Sequence, residues 1–249
     1  MHSLHRALAL LTILPVRVEH RPGDNPGAAM AWYPLVGLFI GAILVTLHSA
    51  MLLAGAQAQL PAAALTLAAW VLLTGGLHLD GWGDCCDGLL CALPRERRLE
   101  IMKDPHAGNF AVIGLVTLLL VKFAVLAVLP PVTAVLALLL APVTARWAVV
   151  VAAKFWPNAR PGGMGATFRA GLGPGQLAAA TLTCGALVIW SGLPGLLVLG
   201  GTLFALLVIA RLAMAKLGGL TGDVYGAIIE GAETMALIAC ALTAGWRIC

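Results

Sequence analysis

Apolar residues run in long blocks along this chain, and the polar ones gather in the gaps. Seven blocks are long enough to cross lipid as helices, at about 32–55, 60–79, 109–129, 132–153, 176–196, 197–214 and 225–245. None shows the strict alternation of a barrel strand. Since lipid admits only helices or closed barrels, the pattern predicts an all-α bundle. Only Ser191-Gly192-Leu193-Pro194-Gly195 separates the fifth and sixth blocks; it makes a good turn, with a single kinked element as the alternative. Ahead of the first block, Leu4 to Leu14 is too short to cross, carries Arg6 and ends at Pro15, so it reads as an interfacial helix. No small-residue cleavage site follows it, which argues against a signal peptide.

Composition extends this to the whole chain. Hydrophobic residues make up 61% and charged ones 10%, against roughly 45–50% and about 25% in soluble domains. Mean hydropathy is +0.97. No repeat or linker divides the chain, so residues 1–249 are expected to form a single polytopic integral-membrane domain.

Charge then orients it. With seven spans, one side holds Arg6, Arg17, Arg21, Arg95, Arg97, Arg98, Lys103, Lys154, Arg160, Arg169, Arg211 and Lys216. The other side has Arg247, while Lys122 and Arg146 lie within spans. Such a bias puts the long loops in the cytoplasm. The net charge of +4 follows from it. No basic groove with interleaved aromatics points to nucleic acid. Cysteines 85, 86, 91, 184, 240 and 249 form no paired framework, and with His78 they match no zinc-finger spacing.

Against this apolar background the acids stand out, only eleven in all. Asp80, Asp84 and Asp87 fall in His78-Leu79-Asp80-Gly81-Trp82-Gly83-Asp84-Cys85-Cys86-Asp87-Gly88. Offsets of four and seven place them on one helical face, where like charges call for a cation. Carboxylates without imidazole or thiolate partners suit Mg²⁺, with Mn²⁺ as the alternative. The bland reading is a solvated helix end. A second acidic face comprises Asp223, Glu230 and Glu233, beside Gly222, Gly226 and Gly231. It is expected to hold a second metal or substrate; its alternative is a buried bridge to Lys122 or Arg146. Two groups of acids on separate helices suit two-metal phosphoryl transfer.

Other polar segments suggest phosphate. Pro94 to Pro105 predicts a short interfacial helix on which Arg95 and Arg98 converge on a phosphate, unless they only serve the charge bias. In the 154–172 loop, Arg160, Gly162, Gly163, Met164, Gly165, Phe168 and Arg169 form a weaker phosphate signal. There is no Gly-x-x-x-x-Gly-Lys-Ser/Thr loop. His78 is a candidate general base, though a lone histidine at a helix end is more often a cap.

Several of these strings resemble the cobalamin synthase, or adenosylcobinamide-GDP ribazoletransferase, family. They are Leu11-Thr12-Ile13-Leu14-Pro15, Trp32 to Gly41, Thr74-Gly75-Gly76-Leu77-His78-Leu79-Asp80-Gly81, and Leu99-Glu100-Ile101-Met102-Lys103-Asp104. Gly218-Gly219-Leu220-Thr221-Gly222-Asp223 with Gly226, Ala227, Glu230 and Glu233 completes the set, in order from about residue 3 to 240. Gly83 stands where the family usually has alanine, and Cys85 where a small polar residue is common.

The resemblance implies an integral-membrane, Mg²⁺-dependent enzyme joining adenosylcobinamide-GDP to α-ribazole or its 5′-phosphate, with release of GMP. It would give Asp80, Asp84 and Asp87 a metal on the pyrophosphate, and Asp223 and Glu230 a second metal or the attacking hydroxyl. Asp84, His78 and Asp223 would then be catalytic. Lys103, Arg95, Arg98, Arg146 and Arg160, with Asp104 and Glu233, would bind substrate. Besides its substrates and the lipid bilayer, the implied partners are other cobalamin-assembly enzymes. Two alternatives stand beside it. A proton- or metal-coupled transporter also carries acids in lipid spans, usually near the midplane. A transferase using CDP-alcohols would continue Asp80-Gly81 toward Ala-Arg, which is absent here.

Overall fold

The structure is a computed structural model and describes residues 2–18, 25–160, 165, 169 and 171–244. The described residues fold as α1 (His2–Leu11), α2 (Tyr33–Leu52), α3 (Gln59–Leu73), α4 (Leu77–Leu90), α5 (Arg95–Ile101), α6 (Asn109–Val128), α7 (Pro131–Phe155), α8 (Pro174–Trp190), α9 (Leu193–Leu217) and α10 (Gly222–Ala244). Short 3-10 turns, Pro26–Trp32 and Ala56–Ala58, precede α2 and α3. The all-α polytopic expectation holds.

The span count changes. α2 with its preceding turn, α6, α7, α9 and α10 are long and apolar enough to cross a membrane. A sixth span exists only if α3 and α4 are taken together, and they are bent by 88°. α8 has 17 residues, at the short end of what can span. Among the described residues the count is therefore five or six rather than seven.

The bend corrects the expected span at 60–79. α3 stops at Leu73, and the Thr74 hydroxyl donates back to the Trp70 carbonyl at 3.1 Å. Gly75 and Gly76 then take φ of 63° and 69°, a left-handed conformation that glycine adopts without a Cβ clash. Two such residues in a row turn the chain, so the aspartates ride on a separate helix, α4. The Ser191-Gly192 turn does separate α8 from α9, with Gly192 at φ 64°.

α7 and α10 form the centre. α7 packs on α2, α10, α9 and α8, while α10 also meets α9, α4 and α6. Pro142 lies inside α7 and has no N–H, which frees the Leu138 carbonyl from its helical partner. Gly41 of α2 fills that place: a Cβ there would lie 2.6 Å from the Leu138 oxygen, so only glycine lets the two backbones meet. Thr202 of α9 donates to Thr144 of α7 at 2.9 Å, and His48 of α2 meets Thr66 of α3 at 3.1 Å.

Candidate active site

α4 and α10 cross where neither has a side chain. A Cβ on Gly81 would sit 2.7 Å from the Asp223 carbonyl oxygen and 3.2 Å from the Gly226 Cα. That contact brings Asp80 and Asp84 of α4 beside Asp223, the first acidic residue of α10. Asp80 is exposed, while Asp84 and Asp223 are half-buried. The charges acting on Asp84 are those of Asp223, Asp80 and Asp87, opposed by the Arg160 guanidinium.

The loops around this crossing are fixed by backbone pairing. The Leu220 N–H donates to the Pro157 carbonyl at 2.8 Å, and the Ala159 N–H donates to the Leu220 carbonyl at 2.9 Å. This pairing places Arg160 next to the start of α10. Its Nη2 donates to the Leu99 carbonyl at 2.5 Å, and its charge acts on Asp84 and Asp223. The Thr221 hydroxyl donates to Asp223 at 3.1 Å and accepts from the Val224 N–H at 3.3 Å, capping α10 and orienting the carboxylate together.

Two cavities open on the crossing and share Asp80. One, of about 210 Å³, is polar and is lined by Asp80, Asp84, Lys103, Asp104 and His106. There the Asp104 carboxyl, held below its usual range by hydrogen bonds from the His106 backbone and ring, meets His106 Nδ1 at 2.7 Å. The other, of about 190 Å³, is mostly apolar and is bordered by Asp80, His78 and Asp223. His78 itself is buried, and neither ring nitrogen has a partner.

Other expected site residues are engaged elsewhere. Glu230 and Glu233 do not join the aspartates. Both accept from Lys122 Nζ, at 2.5 and 2.7 Å, and Glu233 also accepts from Arg146 Nη1. All four side chains are buried, and Lys122 lies 4.9 Å over the Trp70 ring. In the structure Glu230, Glu233 and Arg146, expected as metal or substrate ligands, form with Lys122 the buried bridge that was the alternative arrangement. A carboxylate two helical turns below Asp223 is in apolar surroundings and takes the cations its neighbouring helices supply.

Arg95 and Arg98 do not converge on an open phosphate site. Arg95 donates to the Leu217 and Ala159 carbonyls at 2.6 and 2.9 Å, covering the C-terminus of α9. Arg98 is buried and donates to the carbonyls of Leu93, Gly88 and Leu89 at 2.7, 2.8 and 3.0 Å, closing the end of α4. Asp87 caps the start of α6, accepting from the Gly108 and Ala111 N–H groups at 2.7 and 2.9 Å. Gly162, Gly163, Met164 and Phe168 lie outside the described residues; Gly165 borders the apolar cavity. From sequence His106 has no assigned role, and Thr221 enters only as part of the Gly218 to Asp223 string.

Among the described residues, no group of three or more Asp, Glu, His or Cys side chains is arranged to hold a metal ion. What the crossing offers is Asp80, Asp84 and Asp223 close enough to act on one another's charge, with the Arg160 charge acting on Asp84 and Asp223 and Lys103 on the wall of the polar cavity.

Comparison with known proteins places this architecture. A family model described as cobalamin-5-phosphate synthase matches residues 3–241. The chain is 43% identical over 242 residues to the adenosylcobinamide-GDP ribazoletransferase of Pseudomonas savastanoi pv. phaseolicola, covering 95% of this chain and 97% of that one. It is 40% identical over 234 residues to the protein of that name from Desulforamulus reducens, covering 93% of each chain. With the Pseudomonas aeruginosa protein of the same name the identity is 41% over 244 residues, covering 97% and 98%. No solved structure matches significantly.

Proposed function

The chain belongs to the cobalamin-5-phosphate synthase family, and from that premise we propose that it is an adenosylcobinamide-GDP ribazoletransferase of cobalamin biosynthesis. It transfers adenosylcobinamide phosphate from adenosylcobinamide-GDP to α-ribazole or α-ribazole 5′-phosphate and releases GMP. The observation that carries this is the glycine crossing of α4 and α10, which sets Asp80, Asp84 and Asp223 between two cavities.

The carboxylates fit Mg²⁺, with Mn²⁺ second. Their donors are all hard oxygens, and Mg²⁺ usually binds through one or two carboxylates plus phosphate oxygens and water. A pair of carboxylates suits that habit. Asp80 and Asp84 would hold the ion, and Asp87 supports them by docking α6 onto α4. When bound, the metal neutralises charge on the pyrophosphate.

The chain's own residues do the rest. Lys103 at the rim of the polar cavity and Arg160 beside Asp84 hold the pyrophosphate in place. The attacking ribazole hydroxyl lies against Asp223, whose carboxylate takes its proton. A bond forms between that oxygen and the phosphorus on the cobinamide side. The bond from this phosphorus to the bridging oxygen breaks, and GMP leaves. The site faces the cytoplasm of a bacterial inner membrane, in keeping with the basic residues of the loops that surround it. A transporter would need a loadable carboxylate within the bundle, and Glu230 and Glu233 are both paired.

The test is turnover by purified protein in lipid, with Mg²⁺ and both substrates, followed as GMP and corrinoid product. Product should vanish with EDTA, return with Mg²⁺, and be lost in Asp84→Asn while membrane insertion is kept. Folded, metal-supplied protein that releases no GMP would overturn the assignment.

A further inference from the structure

We propose that the apolar cavity between α1, α2, α4, α7 and α10 is the subsite for the heteroaromatic base of the acceptor nucleoside, with His78 contacting a ring nitrogen of that base. The inference rests on the ribazoletransferase reading above and adds where the acceptor sits and what selects it.

Leu11, Met30, Val149 and Ile229 supply an aliphatic wall, and Tyr33 and Tyr225 supply aromatic ones. The volume is about 190 Å³, larger than the roughly 150 Å³ of an apolar cavity that holds benzene. A ribazole carries a flat benzimidazole, apolar except for one ring nitrogen that accepts a hydrogen bond. Guanine, by contrast, presents several donors and acceptors that these walls cannot satisfy, and a corrin ring is far too large. The polar cavity with Lys103, Asp104 and His106 is the better place for the nucleotide half of the donor. Because Asp80 borders both cavities, a base seated in the apolar one leaves its ribose at the carboxylates.

His78 borders the cavity from α4, its ring nitrogens buried just behind the wall. Buried polar groups are nearly always paired, yet both of its ring nitrogens lack a partner. One N–H given to the base leaves the other nitrogen as an acceptor. The charged groups around it are Arg146 of α7, Glu233 of α10 and Lys122 of α6, and the Arg146 Nε and Nη2 also lack partners. This role moves His78 away from proton transfer at the ribose and into recognition of the base.

The experiment pairs altered cavities with altered acceptors. Ile229→Phe, and Leu11→Phe as a second variant should the first fail to fold, narrow the cavity. Each should raise the KM for α-ribazole about tenfold, leave the KM for adenosylcobinamide-GDP unchanged, and shift preference toward the smaller imidazole riboside. An indole analogue of ribazole, lacking the ring nitrogen, should bind wild-type protein about tenfold more weakly than ribazole. In His78→Phe the two should bind alike. Unchanged ribazole KM and size preference, or a parallel rise in both KM values, would overturn the proposal. Equilibrium binding of α-ribazole, read by its own fluorescence, tests the cavity separately. If wild type binds ribazole and Ile229→Phe does not, yet no GMP is ever released, the reaction reading fails and the subsite stands.

Discussion

Gly81 and Gly226 face each other across the site, each so near the other helix that a Cβ on Gly226 would lie 3.3 Å from the Gly81 Cα and 3.1 Å from the His78 carbonyl oxygen. The separation of Asp80 and Asp84 from Asp223 is thus set by two missing side chains. Gly81→Ala would have to move α4 off the Asp223 backbone, since the atom it meets is a carbonyl oxygen and cannot rotate away. Misplacement by about 1 Å can cost about a hundredfold in rate. The expected result is a kcat loss of that order with a small change in Tm. Gly83→Ala is the control, because a Cβ there meets side chains of Ala111 and Leu115 at 3.4 Å or more, and it should retain most activity.

Arg160 and Arg98 should part company on substitution. Arg160→Ala removes the cation beside Asp84 and Asp223, so kcat/KM should fall by about 10² to 10³, the scale of losing one charge-stabilising donor. Arg98→Ala instead strips buried carbonyls at the end of α4 of their donor. It should cost on the order of 3 kcal/mol of stability, since hydrogen bonds to charged groups are worth about 1.5–3 kcal/mol each and do not add fully. Paired measurements of kcat/KM and unfolding in detergent separate the two.

Asp87 offers a sharper division within the aspartate motif. Because its two oxygens accept from Gly108 and Ala111, Asp87→Asn keeps an acceptor and Asp87→Ala keeps none. Loss of a cap costs about 0.5–2 kcal/mol. The alanine variant should unfold at lower temperature than the asparagine one, and both should need the same Mg²⁺ concentration for half-maximal activity. A raised Mg²⁺ requirement in Asp87→Asn would show that this carboxylate reaches the ion.

The sequence exposed those elements whose signal is local. Charges in an apolar chain stand out, so composition and helical spacing singled out Asp80, Asp84 and Asp87 on one face and Asp223 with Glu230 and Glu233 on another. The bend before α4 was missed because Gly75 and Gly76 lie inside an apolar block, and nothing in their neighbours says that both will be left-handed. The arginines at 95 and 98 were found, but their targets are helix-end carbonyls, which leave no trace in residue identity. Glu230 has its partner 108 residues away in sequence. Spacing along α10 therefore made it look like a continuation of the Asp223 site, whereas tertiary packing hands it to Lys122.

That pairing yields the last prediction. Lys122 is buried between two carboxylates, with Arg146 completing the charge balance at two cations against two anions. Taking out one partner of a buried ion pair leaves a charge with no solvent to screen it and costs about 3–5 kcal/mol. Lys122→Met should therefore lower stability by about that amount. Adding Glu230→Gln removes the stranded charge and should recover a large part of the loss. Glu230→Gln alone should leave the Mg²⁺ dependence of turnover where it was, because its carboxylate is committed to Lys122. If instead the Mg²⁺ requirement rose severalfold while the unfolding temperature held, Glu230 would belong with the aspartates after all, and the network would be a resting arrangement of catalytic groups.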